Sequence, residues 1–233
     1  MTGRRFKFSL AYDGTRFVGW QRQKKGRTVQ AVLEEALAEL TGKRLQVTGA
    51  GRTDSGVHAL GQVAHAEVTT RLSPREILRA LNALLPEDVV VQSVQTVSGR
   101  FHARTSAKSK WYRYQIWNDP VRPLDGRERK HHVPHRLNLP AMRGAARKLS
   151  GRRDFKAFHS SGRPVRSTVR HLRSLTITRE GKLIRINARA DGFLYHMVRR
   201  IAGHLLEIGR GKPPPKIAPS APAKGLCLIS VRY

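Results

Sequence analysis

Gly49-Ala50-Gly51-Arg52-Thr53-Asp54-Ser55-Gly56-Val57-His58-Ala59 joins two short segments, Leu45–Thr48 and Gln62–Val68, that read as strands. Gly49, Gly51 and Gly56 allow backbone angles that bulkier residues resist, so the run is expected to be a shaped loop and not a helix. It holds one carboxylate, Asp54, and no other acid lies between Glu39 and Glu67. A lone acid two residues from an arginine, in a strongly basic chain, is a candidate for chemistry. An aspartate that caps a turn is the commoner use, and spacing alone favours it.

Outward from this loop, the first half reads β-α-β-β-α-β. Phe6, Phe8, Leu10 and Tyr12 alternate with polar or small residues, and Asp13-Gly14 ends that strand in a turn. Val29, Val32, Leu33, Ala36, Leu37 and Leu40 mark one helix face, with Thr28 as N-cap and Gly42 past its end. Ser73-Pro74-Arg75-Glu76 offers a capping residue, a first-turn proline and a capping-box glutamate. The helix it opens carries Ile77, Leu78, Leu81, Leu84 and Leu85 and stops at Pro86, and Val89–Val97 is a strand.

The second half repeats the order. Lys110–Trp117 alternates, with Tyr112, Tyr114 and Ile116 on one face and Trp111 and Trp117 on the other. A basic, proline-containing connection, 118–137, leads to a helix with Leu139, Met142, Ala145, Ala146 and Leu149, ended by Gly151. A long loop, 152–169, follows, and loops of that length are often functional. Strands at 170–178 and 182–190 flank the hairpin signal Glu180-Gly181. A helix carrying Leu194, Met197, Val198, Ile201, Leu205 and Ile208, an irregular proline-rich stretch Lys212–Lys224 and a last strand from Leu226 complete the chain. This predicts an α+β protein of two ferredoxin-like halves, 1–105 and 106–233, with a largely antiparallel sheet. Half-sheets side by side would leave a cleft, and lysines and arginines would make it basic.

Lys and Arg number 45 against 16 Asp and Glu, a formal net charge of +29. That excess points to a polyanionic partner, foremost nucleic acid, with a basic face for anionic membranes as the rival. No run of 18 apolar residues is present, so no membrane-spanning helix is expected. The single cysteine, Cys227, excludes an internal disulfide and suits a reducing compartment. The N-terminus lacks an apolar signal core, which points to a soluble, cytoplasmic protein.

Few other residues suggest chemistry. Arg52 would bind phosphate or hold Asp54, or be one more solvated arginine. Tyr112 and Tyr114 would stack on bases or pack in the core, the commoner use. Arg199 falls in the helical row Tyr195, Arg199, Ala202, Leu206, so its charge should be partly buried and want a carboxylate, Asp54 or Asp191, unless it snorkels to solvent. His131-His132-Val133-Pro134-His135 sits among basic residues without cysteine, which favours solvation or phosphate contact over zinc. Acids are too scattered for a two-metal nuclease, and no phosphate-binding or dinucleotide fingerprint occurs. Any chemistry is expected to need no metal, nucleotide or redox cofactor.

Gly51-Arg52-Thr53-Asp54-Ser55-Gly56-Val57-His58-Ala59 resembles the catalytic motif of the TruA-type tRNA pseudouridine synthases. Tyr12-Asp13-Gly14-Thr15 with Gly19-Trp20-Gln21-Arg22-Gln23 is similar to the family's opening. Phe101-His102-Ala103-Arg104 ahead of Tyr112-Arg113-Tyr114, His196-Met197-Val198-Arg199 with Ile201-Ala202-Gly203, and Ala221-Pro222-Ala223 with the last strand match in order and spacing. The resemblance covers essentially the whole chain. It implies the pseudouridine synthase fold and conversion of uridine to pseudouridine at positions 38–40 of the tRNA anticodon stem-loop. It further implies a homodimer whose tRNA contacts both subunits, and no cofactor. Asp54 would be nucleophile or base, Arg199 would pair with it, Tyr112 would stack on the target base and Arg52 would hold the extruded nucleotide. Basic segments near Arg22–Arg27, Arg100–Lys110 and Arg163–Arg170, including Arg22, Lys24, Arg104 and Lys110, would take RNA phosphates. The stretch Lys212–Lys224 looks shorter than is usual in the family, which would bear on dimer contacts or tRNA grip. A non-catalytic RNA-binding protein, or a synthase acting on another RNA site, is the alternative.

Overall fold

A computed structural model describes residues 3–160 and 165–233. It divides into two units, Met1–Lys108 with Leu228–Tyr233, and Ser109–Cys227. The first contains β1 (Arg4–Tyr12), α1 (Val29–Thr41), β2 (Thr48–Gly49), β3 (His58–Val68), α2 (Pro74–Leu84) and β4 (Val89–Thr96). The second contains β5 (Ser109–Asn118), β6 (His131–Val133), α3 (Leu139–Leu149), β7 (Gly151–Asp154), β8 (Val169–Glu180), β9 (Leu183–Ala190) and α4 (Met197–Gly209). The last strand, β10 (Leu226–Arg232), starts in the second unit, and Leu228 onward counts with the first. The fold is α+β and mostly antiparallel.

In the first unit β1 lies between β4 and β3, antiparallel to both, and β2 pairs antiparallel with β3. Phe6, Phe8 and Leu10 of β1 are fully buried with Leu33 and Leu37 of α1 and Ile77 and Leu81 of α2. Each such side chain contributes about 1.5–3 kcal/mol by leaving water. The helix ends follow local chemistry. Thr28 Oγ1 accepts the Ala31 N–H, Gly42 takes the left-handed conformation at φ 68°, and Ser73 and Glu76 form the reciprocal capping box.

In the second unit β9 pairs antiparallel with β5 and β8, β7 pairs antiparallel with β8, and β6 runs parallel to β5. Tyr114 and Ile116 of β5 and Ile184 and Ile186 of β9 are fully buried, as are Met142 of α3 and Ile201 and Leu205 of α4. Trp111 and Trp117 take the opposite face, as alternation predicts. The Arg189 guanidinium lies 4.4 Å from the Trp111 ring centroid and the Lys130 ammonium 5.3 Å from that of Trp117.

Five expectations need correction. Leu45–Val47 is not a strand: the Val47 N–H donates to Glu34 Oε1 at 3.0 Å and its carbonyl accepts Gln30 Nε2 at 3.0 Å, so side chains of α1 take the groups a ladder would use. β3 begins at His58, not Gln62, so the shaped loop is shorter than its glycines suggest. The connection 118–137 contains β6, and the loop 152–169 opens with β7, whose Arg152-Arg153-Asp154 has no apolar alternation because it is an exposed edge strand. Finally, α4 starts at Met197: His196 sits at φ 61°, which stops the helix from reaching back to Leu194.

Candidate active site

The Asp54 loop is held from both ends by the segment that follows β1. The Trp20 N–H donates to the Thr53 carbonyl at 3.1 Å, and the Gly56 N–H to the Phe17 carbonyl at 3.2 Å. Asp54 opens a turn closed by the Val57 N–H on its own carbonyl at 3.1 Å, with Gly56 at φ 74°. Contact is backbone to backbone. A Cβ at Gly19, where φ is 108°, would lie 2.7 Å from the Thr53 carbonyl oxygen, and one at Gly49 would lie 2.6 Å from the Trp20 ring. These glycines permit the approach; bulkier residues could not.

Side chains complete the clamp. The hydroxyls of Tyr12 and Thr53, both buried, are hydrogen-bonded at 2.8 Å. Gln62, with no exposed surface, donates from Nε2 to the Gly51 carbonyl at 2.9 Å. At the other end His58 Nδ1 accepts the Gly14 N–H at 3.1 Å. Asp54 itself is half-buried between these two anchors. Its immediate neighbours are thus fixed while its own side chain keeps contact with solvent, which suits a group that must meet a substrate.

Arg52 is exposed and donates from Nε to Gln21 Oε1 at 2.9 Å. Gln21 Nε2 in turn donates to Gln30 Oε1 at 2.7 Å, and Gln30 to the buried Glu34 carboxylate at 2.9 Å, so the arginine stands at the end of a chain rooted in α1. Arg22 donates to Glu34 Oε2 at 2.8 Å, while Lys24 and Arg104 are exposed. The Arg104 turn is docked on the sheet: His65 Nδ1 accepts the Ala103 N–H at 3.1 Å, and Tyr233 donates to the Ala103 carbonyl at 2.8 Å. Burial, the nearby His102 and Arg5 hold His65 below the usual imidazole range.

The second unit carries Tyr112, Lys110 and Arg199. Tyr112 is buried, its ring edge-on to Phe193 at 5.1 Å. Lys110 is half-buried on β5. Arg199 is half-buried on α4 and donates from Nε to the Ala221 carbonyl at 2.9 Å, while Ala221 N–H donates to the Arg199 carbonyl at 3.0 Å. Close approach makes this clasp: a Cβ at Gly203 would lie 2.0 Å from the Pro219 carbonyl oxygen. Ala202 and Leu206 of the predicted row are buried, but Tyr195 precedes the helix, is 41% exposed and stacks on His196. Asp191 is exposed, and its carboxylate accepts the His171 N–H. Tyr114 has no exposed surface, and burial raises its phenol well above the ordinary range despite the positive charge of Arg199.

His131 is not the solvated loop residue its neighbours suggest. It sits on β6 with its ring 6.1 Å from Tyr114, and burial with Arg210 and Lys224 nearby lowers its pKa to about 4. Among the described residues, no group of three or more His, Cys, Asp or Glu could hold a metal ion, and no helix is long and apolar enough to cross a membrane. Arg163, part of a predicted basic segment, lies outside the described residues, whereas Arg170 is half-buried at the start of β8. Sequence reasoning did not single out Tyr12, Gln62 or His58 as supports. Their signal is polarity at strand positions that should face the core.

The family model described as tRNA pseudouridine synthase matches residues 9–105 and 145–221, which include Asp54 and Arg199. The chain belongs to the tRNA pseudouridine synthase family. Curated members agree along its length. A tRNA pseudouridine synthase A of Acetivibrio thermocellus is 42% identical, covering 99% of this chain and 100% of its own. One from Ruminiclostridium cellulolyticum is 41% identical with the same coverage, and one from Syntrophotalea carbinolica is 43% identical over 96% of this chain and 94% of its own.

Proposed function

We propose that this protein isomerises uridine to pseudouridine in tRNA, at positions 38–40 of the anticodon stem-loop, with Asp54 as the catalytic carboxylate. The observation that carries the reading is full-length membership in the tRNA pseudouridine synthase family. Its two halves are read as ferredoxin-like and its RNA-binding cleft as basic, which the net charge of +29 supports. It works as a cytoplasmic homodimer whose tRNA contacts both subunits, and it needs no cofactor.

The reaction breaks the bond between uracil N1 and the sugar, turns the base, and joins C5 to the same sugar carbon. N1 gains a proton, C5 loses one, and no redox equivalent is consumed. One ionised carboxylate suffices, as nucleophile at the sugar or as base toward it. Asp54 takes that role from a turn whose flanking residues are immobilised, so little ordering is left to the moment of reaction. A hydrolytic glycosidase uses two carboxylates flanking the bond, whereas the Asp54 loop offers one. Tyr112, Arg52 and Arg199 hold the extruded nucleotide and its surroundings, because the target must leave its stack. Arg22, Lys24, Arg104 and Lys110 contribute phosphate contacts, and RNA affinity falls with salt as counterions are released.

The experiment is tritium release from tRNA labelled at uracil C5. Wild type is expected to release tritium to water. Asp54→Asn is expected to release none while retaining most tRNA affinity, and Arg199→Leu to lose most turnover. Undiminished release by Asp54→Asn would overturn the catalytic assignment, and mapping the modified nucleotides tests positions 38–40.

A further inference from the structure

The Asp54 loop ends at His58, a histidine with 4% exposure for which the isomerisation has no direct use. Its Nδ1 lies 3.1 Å from the Gly14 nitrogen and 3.2 Å from Asp13 Oδ1. Asp13 Oδ1 also accepts the Thr15 N–H at 3.0 Å and the Thr15 hydroxyl at 2.5 Å, so the Asp13-Gly14-Thr15 turn is closed on itself. The turn is fastened in turn: the Asp13 N–H donates to the Asp88 carbonyl at 2.9 Å, and the Asp88 carboxylate takes Arg27 with both oxygens. No side chain separates turn from loop at Gly14, whose Cβ would fall 2.1 Å from the Val57 carbonyl oxygen.

We infer that His58 is a positioning residue: its unprotonated Nδ1, by accepting the Gly14 N–H, fixes the C-terminal end of the Asp54 loop against the Asp13-Gly14-Thr15 turn. The loop is held on both sides. Thr53, Tyr12 and Gln62 hold the side before Asp54, and on the side after it His58 adds to the bonds of Ser55 and Gly56 to the Phe17 carbonyl. Between His58 and Asp54 stand Ser55, Gly56 and Val57, with Gly56 in the left-handed region, so once the His58 bond is released the span is held only by the backbone bonds of Val57 to Asp54 and of Gly56 to Phe17 and by the Ser55 hydroxyl on Phe17. The inferred role fixes the tautomer: an acceptor at Nδ1 requires the ring proton on Nε2, whereas a proton on Nδ1 would be donated to Asp13 Oδ1, 3.2 Å away, and would forfeit the Gly14 bond.

This inference rests on the pseudouridine synthase reading for its activity readout, and a second readout is independent of it. His58→Asn places an amide oxygen near the position of Nδ1, His58→Gln places it one bond further out, and His58→Ala removes it. Tritium release from labelled tRNA is expected to show kcat reduced on the order of 10- to 100-fold in His58→Ala and His58→Gln, with tRNA Kd within about twofold of wild type. His58→Asn is expected to recover most of the rate. Hydrogen exchange of the Gly14 amide, which needs no substrate, should be slow in wild type and His58→Asn and faster in the other two. Equal losses in His58→Asn and His58→Gln would overturn the inference, as would unchanged Gly14 exchange in His58→Ala. If His58→Ala does not fold, the Asn and Gln pair decides alone. Wild type without tritium release, but with this exchange pattern, would refute the activity and leave the positioning role standing.

Discussion

Gly14 touches Val57 so closely that a Cβ on the glycine would lie 2.1 Å from the Val57 carbonyl oxygen. Two segments more than forty residues apart are thereby packed backbone against backbone, and the contact lies three residues from Asp54. Gly14→Ala must push the Asp54 loop away from the turn after β1. It is expected to lower stability by about 1–3 kcal/mol, the usual cost of forcing a methyl into a packed site. Turnover should fall as well, because the displacement is transmitted along Val57, Gly56 and Ser55. Urea denaturation and tritium release measure the two effects. A variant with wild-type stability and rate would show that the loop is free to shift.

His131 gives the second unit a pH-dependent weakness. Burial, Arg210 and Lys224 hold its pKa at about 4 in the folded protein, against about 6.5 in an unfolded chain. Between those values the unfolded chain binds more protons, so stability falls as pH drops through that window and is fully present above it. His65 and His204 are also lowered, mainly by burial, and act with the same sign. The urea midpoint of wild type is therefore expected to fall between pH 7 and pH 5 by more than that of His131→Gln. Equal falls would contradict the assignment of this window to His131.

Arg104 leaves the first unit on a turn docked through His65 and Tyr233, and its own side chain is exposed. If it meets a phosphate, Arg104→Gln should weaken tRNA binding uniformly across substrates and reduce the slope of log affinity against log salt by about one. Tritium release at saturating tRNA should be little changed. A titration across salt concentrations checks this, and an unaltered slope would remove Arg104 from the RNA contacts.

Much of the architecture was legible because its causes are local. Thr28, Gly42 and the Ser73-Glu76 capping box fix helix ends through atoms within four residues of each other, and Phe6, Phe8 and Leu10 declare a buried face by alternation. The misreadings share the opposite origin. Leu45–Val47 looked like a strand because nothing nearby shows that Glu34 and Gln30 will take its backbone groups. His131 looked solvated because the Tyr114 ring it packs against belongs to β5 and the charges near it, Arg210 and Lys224, are far along the chain, not in its own loop.

The sequence alone determined the α+β class and the cation excess, because composition and periodicity are properties of the chain itself, and it marked Asp54 as the lone acid of a glycine-rich run, which the family resemblance made a candidate. Only the tertiary structure decided how that acid is held. Tyr12 reaches Thr53, Gln62 reaches Gly51, and Gly14 reaches His58 across separations of eleven to forty-four residues, which no pattern along the chain encodes. A flexible glycine loop becomes a fixed platform because its polar neighbours lose water on folding and must find their hydrogen bonds in each other.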